Sequence, residues 1–207
     1  KMGEREMLAC LIRGLPGRKD VLVGAGDDCA VVRIAKKASS DLLLKSDPIV
    51  EGIHFAPDAR PLDVGRKALA RVLSDMAAMG GTPLWTLVNL VAPGHTTWAR
   101  IDGVRRGFAR LARRWNIAWV GGDISEGPVL ELHVFCVGRA PHGAAVLRSS
   151  ARPGDAIYVT GTLGGSILGK HLRFEPRLDQ GQWLRSGHWA SAMMDVSDGL
   201  AMDMPRL

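Results

Sequence analysis

The 207-residue chain has only three cysteines, Cys10, Cys29 and Cys136, and no CxxC pair. That count and spacing exclude a disulfide scaffold and a cysteine-ligated zinc site, and fit a reducing compartment. Aromatic residues are scarce at 5%, and the six tryptophans are scattered without a ladder on which bases could stack. No apolar run can cross a bilayer: the longest uncharged apolar stretch, residues 84–93, is about half the ~20 residues a span needs. No secretory signal opens the chain, because residues 1–13 mix acids and bases around a short apolar run. The expected location is cytoplasmic. The chain also lacks GxxxxGK[ST], HRD and DFG, so neither a P-loop nor a protein-kinase site is encoded.

What is present is a globular composition, 46% hydrophobic and 23% charged, with net charge +6. A basic balance invites polyanions, either nucleic acid or phosphorylated small molecules. Residues 105, 106, 110, 113 and 114 are all Arg, but on a helix they read as the solvated face. Nucleic acid is therefore not an expected partner, and neither is a membrane. The first residue is Lys1 and the last, Leu207, falls in a helical pattern, so the chain reads as a fragment.

Hydrophobic periodicity predicts helices over residues 4–15, 63–79, 97–115 and 163–172, and another starting near Asp198. It predicts strands over 21–23, 29–34, 41–46, 84–91, 117–120 (buried), 129–137, 156–160 and 193–196. The irregular alternation favours an α+β fold over a doubly wound parallel sheet. A Gly/Pro/Arg-rich connection over 138–154 is the best boundary. The expected organisation is residues 1–140 as an N-terminal domain and 141–207 as the start of an incomplete one.

Seven aspartates have unusual neighbours: Asp27, Asp28, Asp47, Asp75, Asp123, Asp195 and Asp198. Asp27 and Asp28 follow a Gly-rich turn, and Asp123 follows Gly121-Gly122. Asp47 reads as ending an apolar strand, and Asp195 and Asp198 bracket Ser197 at a strand-to-helix junction. Ala68, Val72, Asp75 and Met79 are spaced 4, 3 and 4, so Asp75 shares the apolar face of its helix. Any one of these can be a cap or turn residue. Caps do not explain Asp75, since a buried carboxylate costs several kcal/mol unless paired or metal-bound. Carboxylates that converge need cations, and oxygen ligands select Mg²⁺, Mn²⁺ or Ca²⁺. Mg²⁺ held among aspartates suggests a polyphosphate substrate, and Gly24, Gly26, Gly121 and Gly122 let backbone approach phosphate.

The ordered segments Gly24-Ala25-Gly26-Asp27-Asp28, Ser46-Asp47 through Glu51-Gly52-Ile53-His54-Phe55, and Leu73-Ser74-Asp75-Met76-Ala77-Ala78-Met79-Gly80 resemble the thiamine-monophosphate kinase family. So do Gly121-Gly122-Asp123, Arg148-Ser149, Tyr158-Val159-Thr160-Gly161 and Asp195-Val196-Ser197-Asp198-Gly199-Leu200. That family lies in the aminoimidazole-ribotide-synthetase-like superfamily. The resemblance implies an N-terminal mixed sheet with helices on one side, followed by a truncated α+β C-terminal domain. It implies transfer of the ATP γ-phosphoryl group to thiamine monophosphate, with several Mg²⁺ ions and no covalent nucleophile. It implies metal ligation by Asp28, Ser46, Asp47, Asp75, Asp123, Asp195 and Asp198, with Asp27 in support. It also implies ATP contacts from Gly122, Asp123, Arg148 and Ser197, a substrate contact from His54, and a homodimer through the N-terminal sheets.

The sequence departs from the family's pattern in several places. Lys45 stands where Ser or Thr is usual, Pro48 where Thr is common, Ile124 where Thr follows Gly-Gly-Asp, and Gly165 where Asp stands. A protonated Lys45 cannot ligate Mg²⁺. It could replace one metal's charge, touch a phosphate, or mark a nucleotide-binding relative without catalysis. A superfamily enzyme with a different phosphate acceptor is the other alternative.

Overall fold

The computed structural model describes residues 4–13 and 15–207. Six strands form one sheet: β1 (Val21–Val23), β2 (Ala30–Val32), β3 (Ser40–Val50), β4 (Thr82–Ala92), β5 (Ala118–Glu126) and β6 (Glu131–Pro141). Their order is β1-β2-β3-β6-β4-β5. All neighbouring pairs are antiparallel except β4–β5, so the sheet is mixed. The helices are α1 (Glu4–Ile12), α2 (Pro61–Ala78), α3 (Trp98–Arg114), α4 (Lys170–Arg173), α5 (Leu178–Ser186) and α6 (Leu200–Asp203). The fold is α+β, as the irregular alternation implies.

Helix α2 starts at Pro61, whose ring presets φ and whose missing N–H costs nothing at a helix start. Helix α3 starts after Thr97, whose hydroxyl accepts the Arg100 N–H at 3.4 Å. Both bury an apolar stripe against the sheet: Leu69, Val72, Leu73 and Met76 from α2, Val104, Phe108 and Leu111 from α3. Leu43, Ile49, Leu132 and Val134 meet them from the strands. The helices touch backbone to backbone at two glycines. A Cβ on Gly65 would lie 1.9 Å from the Val104 carbonyl oxygen, and one on Gly107 2.0 Å from that of Leu62. The other face of the sheet leaves Leu44, Trp85, Leu87 and Phe135 between 38% and 46% exposed.

Several elements differ from the sequence expectation. The first helix ends at Ile12, and Gly14 within the expected span lies outside the described residues. Strand β5 continues through Gly121-Gly122-Asp123 and is exposed along its whole length, where a buried strand ending at Val120 was expected. It is an edge strand paired on one side only, and α3 touches it through Phe108 against Trp119, ring centroids 4.8 Å apart. The strands expected at 156–160 and 193–196 do not form. Their residues have strand-like pattern, but no strand lies beside them to take their backbone hydrogen bonds. The helix expected over 163–172 shrinks to a 3₁₀ turn at Ser166–Leu168 and α4, interrupted by Gly169 at φ 116°. Segment 174–186 docks on α2 and the turn after it. Leu178 is fully buried, Arg185 donates to the Gly80 carbonyl at 2.8 Å, and Arg66 donates to the Phe174 carbonyl at 2.8 Å.

Candidate active site

Strand β3 builds one wall. Its side chains alternate, so Leu43, Lys45, Asp47 and Ile49 face α2 while Leu44, Ser46 and Pro48 face away. Helix α2 brings Asp75 to that wall from its buried stripe. The turn before β2 supplies Asp27 and Asp28, and the C-terminal segment supplies Asp195. Asp28, Asp75 and Asp195 each present an oxygen within 4.8 Å of the others. The three come from positions 47 and 120 residues apart, counting 28 to 75 and 75 to 195.

Cations already sit among these acids. Arg148 grips Asp28 through both guanidinium arms, its Nε at 3.0 Å, and its backbone N–H donates to Asp27 at 3.1 Å. Lys45 Nζ lies 2.8 Å from Asp75 and 3.6 Å from Asp47. Burial pushes the carboxyl of Asp28 up, and the Arg148 guanidinium pulls part of that back. Burial raises Asp75 well above the ordinary carboxylate range, with Asp195 adding repulsion. Asp195 rises to about 6, through burial and the nearby Asp28. Two buried carboxylates and a half-buried third, resisting ionisation at one point with oxygen as the donor, fit a hard divalent cation.

A second, basic group lies alongside. The Lys67 ammonium is 8% exposed, donates to the His54 carbonyl oxygen and meets His171 Nδ1 at 3.0 Å. Arg71 donates to the Pro48 carbonyl at 3.1 Å. Burial, then Arg71, lower the Lys67 pKa to about 8. His54 is lowered by burial, Arg71 and Lys67, and its Nδ1 accepts the Val50 N–H at 3.0 Å. A neutral His54 therefore carries its proton on Nε2, which is left as a donor.

The remaining expected residues stand apart from the carboxylate cluster. Ser46 is exposed on the opposite face of β3 from Asp47. Asp47 itself lies inside its strand rather than at its end, and so does Asp123. Asp123 is exposed on β5, where its carboxylate accepts the Ile124 N–H at 2.8 Å. With Gly122 it lines a cavity of about 400 Å³ between β5 and α3, walled by Trp98, Phe108, Trp119 and Ile124. Asp198 pairs with Arg206 at 3.1 Å. The Ser197 and Asp198 N–H groups donate to Asp203 at 2.9 and 2.8 Å. Lys67, Arg71, His171 and the 1%-exposed Asp203 were given no role from the sequence. Lys67 had a signal: like Asp75, it falls on the buried side of α2, and 67 and 75 differ by 8, close to two turns.

Residues 26–140 match the family described as AIR synthase related protein, N-terminal domain. Over 208 residues the chain is 38% identical to thiamine-monophosphate kinase of Escherichia coli K12, an alignment covering 90% of this chain and 62% of the relative. It is 39% identical to that of Rhodopirellula baltica, covering 99% of this chain and 66% of the relative. The solved structure of AaThiL complexed with AMPPCP and TMP superposes with a TM-score of 0.88 at 31% identity, covering 99% of this chain and 69% of that one. The chain belongs to the thiamine-monophosphate kinase branch of the AIR synthase related family. It spans about three fifths to two thirds of the length of these curated kinases. The acidic cluster thus lies in a kinase-family scaffold, with Asp28, Lys45, Asp47 and Asp75 all inside the matched residues 26–140.

Proposed function

We propose that the intact protein transfers the γ-phosphoryl group of ATP to thiamine monophosphate. A phosphate oxygen of thiamine monophosphate forms the new P–O bond. The bond between the γ-phosphorus and the β-bridging oxygen breaks, ADP leaves with the electron pair, and thiamine diphosphate is the other product. The observation that carries this reading is the convergence of buried Asp28 and Asp75 and half-buried Asp195 beside Arg148 in a chain of this family. The ATP analogue and TMP in the AaThiL complex support both substrates.

Asp28, Asp75 and Asp195 would hold Mg²⁺, with Asp27 and Asp47 beside them. Mg²⁺ held there would supply charge neutralisation for the transferring phosphates. Arg148 offers a planar fork of donors suited to a phosphate, and Asp28 keeps that fork oriented. Neutral His54 donates from Nε2 to the acceptor phosphate, with Lys67 and Arg71 adding positive potential nearby. The attacking oxygen is already anionic, so the residues position and neutralise rather than abstract a proton. Gly122, Asp123, Ser46, Ser197 and Asp198 remain proposed contacts to metal or nucleotide, reached once substrates or a partner subunit complete the site.

The chain forms a homodimer in this reading, through the uncovered sheet face bearing Leu44, Trp85, Leu87 and Phe135, and through edge strand β5. Residues 1–140 form the nucleotide and metal domain and 141–207 begin a second. The protein works in the cytoplasm, and no helix among the described residues is long and apolar enough to cross a membrane. Lys45 among the carboxylates favours one rival, a relative that binds nucleotide without turnover. Assaying ADP and thiamine diphosphate formation by the intact protein separates the two. Both products appear if it is a kinase; nucleotide bound without either product would establish the rival.

A further inference from the structure

Lys45 stands among the carboxylates, and its surroundings say what the ammonium does. Strand alternation turns it inward between Leu43 and Asp47, toward α2. Its Nζ bonds Asp75 at 2.8 Å and reaches Asp47 at 3.6 Å, with its own side chain only 21% exposed. Five carboxylates line this site, those of Asp27, Asp28, Asp47, Asp75 and Asp195, against two fixed cations, Lys45 and Arg148. Arg148 serves the Asp27–Asp28 side. Lys45 serves the Asp47–Asp75 side, where no other cation is bonded to either carboxylate among the described residues.

We propose that the Lys45 ammonium takes the place of one divalent cation at the Asp47–Asp75 side of the cluster. The chain then assembles its nucleotide site with one metal ion fewer than a form bearing a hydroxyl at position 45. This rests on the phosphoryl-transfer reading of the site. Three features of the geometry support it. An ammonium bridging two carboxylates uses lone pairs that a metal would need. It is tethered by its own strand and does not exchange with solvent ions. It also leaves Asp28, Asp75 and Asp195 able to share one cation on the other side, because their oxygens lie within 4.8 Å of one another. A protonated lysine has no lone pair, so it substitutes for a metal's charge and not for a metal ligand.

The test counts ions. The intact protein is saturated with a non-hydrolysable ATP analogue and titrated with Mn²⁺, free Mn²⁺ being read by electron paramagnetic resonance. Lys45→Thr, which restores a hydroxyl and removes the charge, is expected to bind one more Mn²⁺ per chain than the unmodified protein. Lys45→Arg, which keeps the charge, is expected to bind the same number. Asp47→Asn in the unmodified background is expected to lose no ion, because Asp47 is turned to Lys45; this variant gives a result even if Lys45→Thr does not fold. Equal counts in the unmodified protein and Lys45→Thr, or loss of an ion in Asp47→Asn, would overturn the proposal. No nucleotide-dependent Mn²⁺ in any form would overturn the phosphoryl-transfer reading with it.

Discussion

Replacing Gly107 by Ala should loosen the contact that holds α3 against α2, the helix that carries Asp75. The added Cβ would sit 2.0 Å from the Leu62 carbonyl oxygen and 2.7 Å from its carbon, and both atoms are backbone. A carbon and an oxygen settle at about 3.3–3.6 Å, so the helices must part by about 1.5 Å. Overpacking of this kind costs about 1–3 kcal/mol. Alanine returns up to ~1 kcal/mol as a better helix former than glycine. Taking ~3 kcal/mol for a clash against rigid backbone, the net loss is about 2 kcal/mol. With a urea slope of ~2 kcal/mol/M, the unfolding midpoint should fall by about 1 M. Arg110→Ala on the exposed face of α3 should change the unfolding free energy by no more than ~0.5 kcal/mol. Circular dichroism during urea titration reads both. A midpoint for Gly107→Ala equal to or above that of the unmodified protein would refute the backbone-contact argument, since helix propensity alone predicts a gain.

Two further outcomes follow from the site. Arg148→Lys keeps the charge but loses the two-armed grip on Asp28, so affinity for an ATP analogue with Mg²⁺ should fall about tenfold or more by calorimetry; unchanged affinity would detach Arg148 from the nucleotide. Lys67 titrates near 8 when folded and at 10.5 as an ordinary lysine. Between these values the unfolded chain binds the extra proton, so this residue's contribution to stability rises with pH from about 8 to 10. The gain in unfolding free energy between pH 7.5 and 9.5 should therefore exceed that of Lys67→Met by about 2 kcal/mol, and parallel pH profiles would contradict the burial of the ammonium.

Helices α1 to α3 and most strands were legible because they carry their own pattern, whereas α5, in a polar stretch, was not. The 4-3-4 spacing that put Asp75 on an apolar face holds, since Asp75 is only 5% exposed. What was not legible depends on neighbours that a local pattern does not contain. Residues 156–160 and 193–196 alternate like strands but have nothing to pair with. Strand β5 runs on through two glycines because β4 offers it partners as far as Glu126. Ser46 and Asp47 are adjacent in sequence, so a strand must send them to opposite faces, a consequence that the motif alone conceals. Lys67 and Asp203 gain their importance from contacts with His171, 104 positions on, and with the backbone of Ser197 and Asp198.

The central claim is that the acidic cluster of this chain serves phosphoryl transfer between ATP and thiamine monophosphate. The most direct test supplies the intact protein with ATP, Mg²⁺ and thiamine monophosphate and quantifies ADP and thiamine diphosphate together. Equimolar ADP and thiamine diphosphate, formed only when Mg²⁺ and thiamine monophosphate are both present, are the expected result. ADP released at the same rate without thiamine monophosphate, or tight ATP binding with no product, would contradict it.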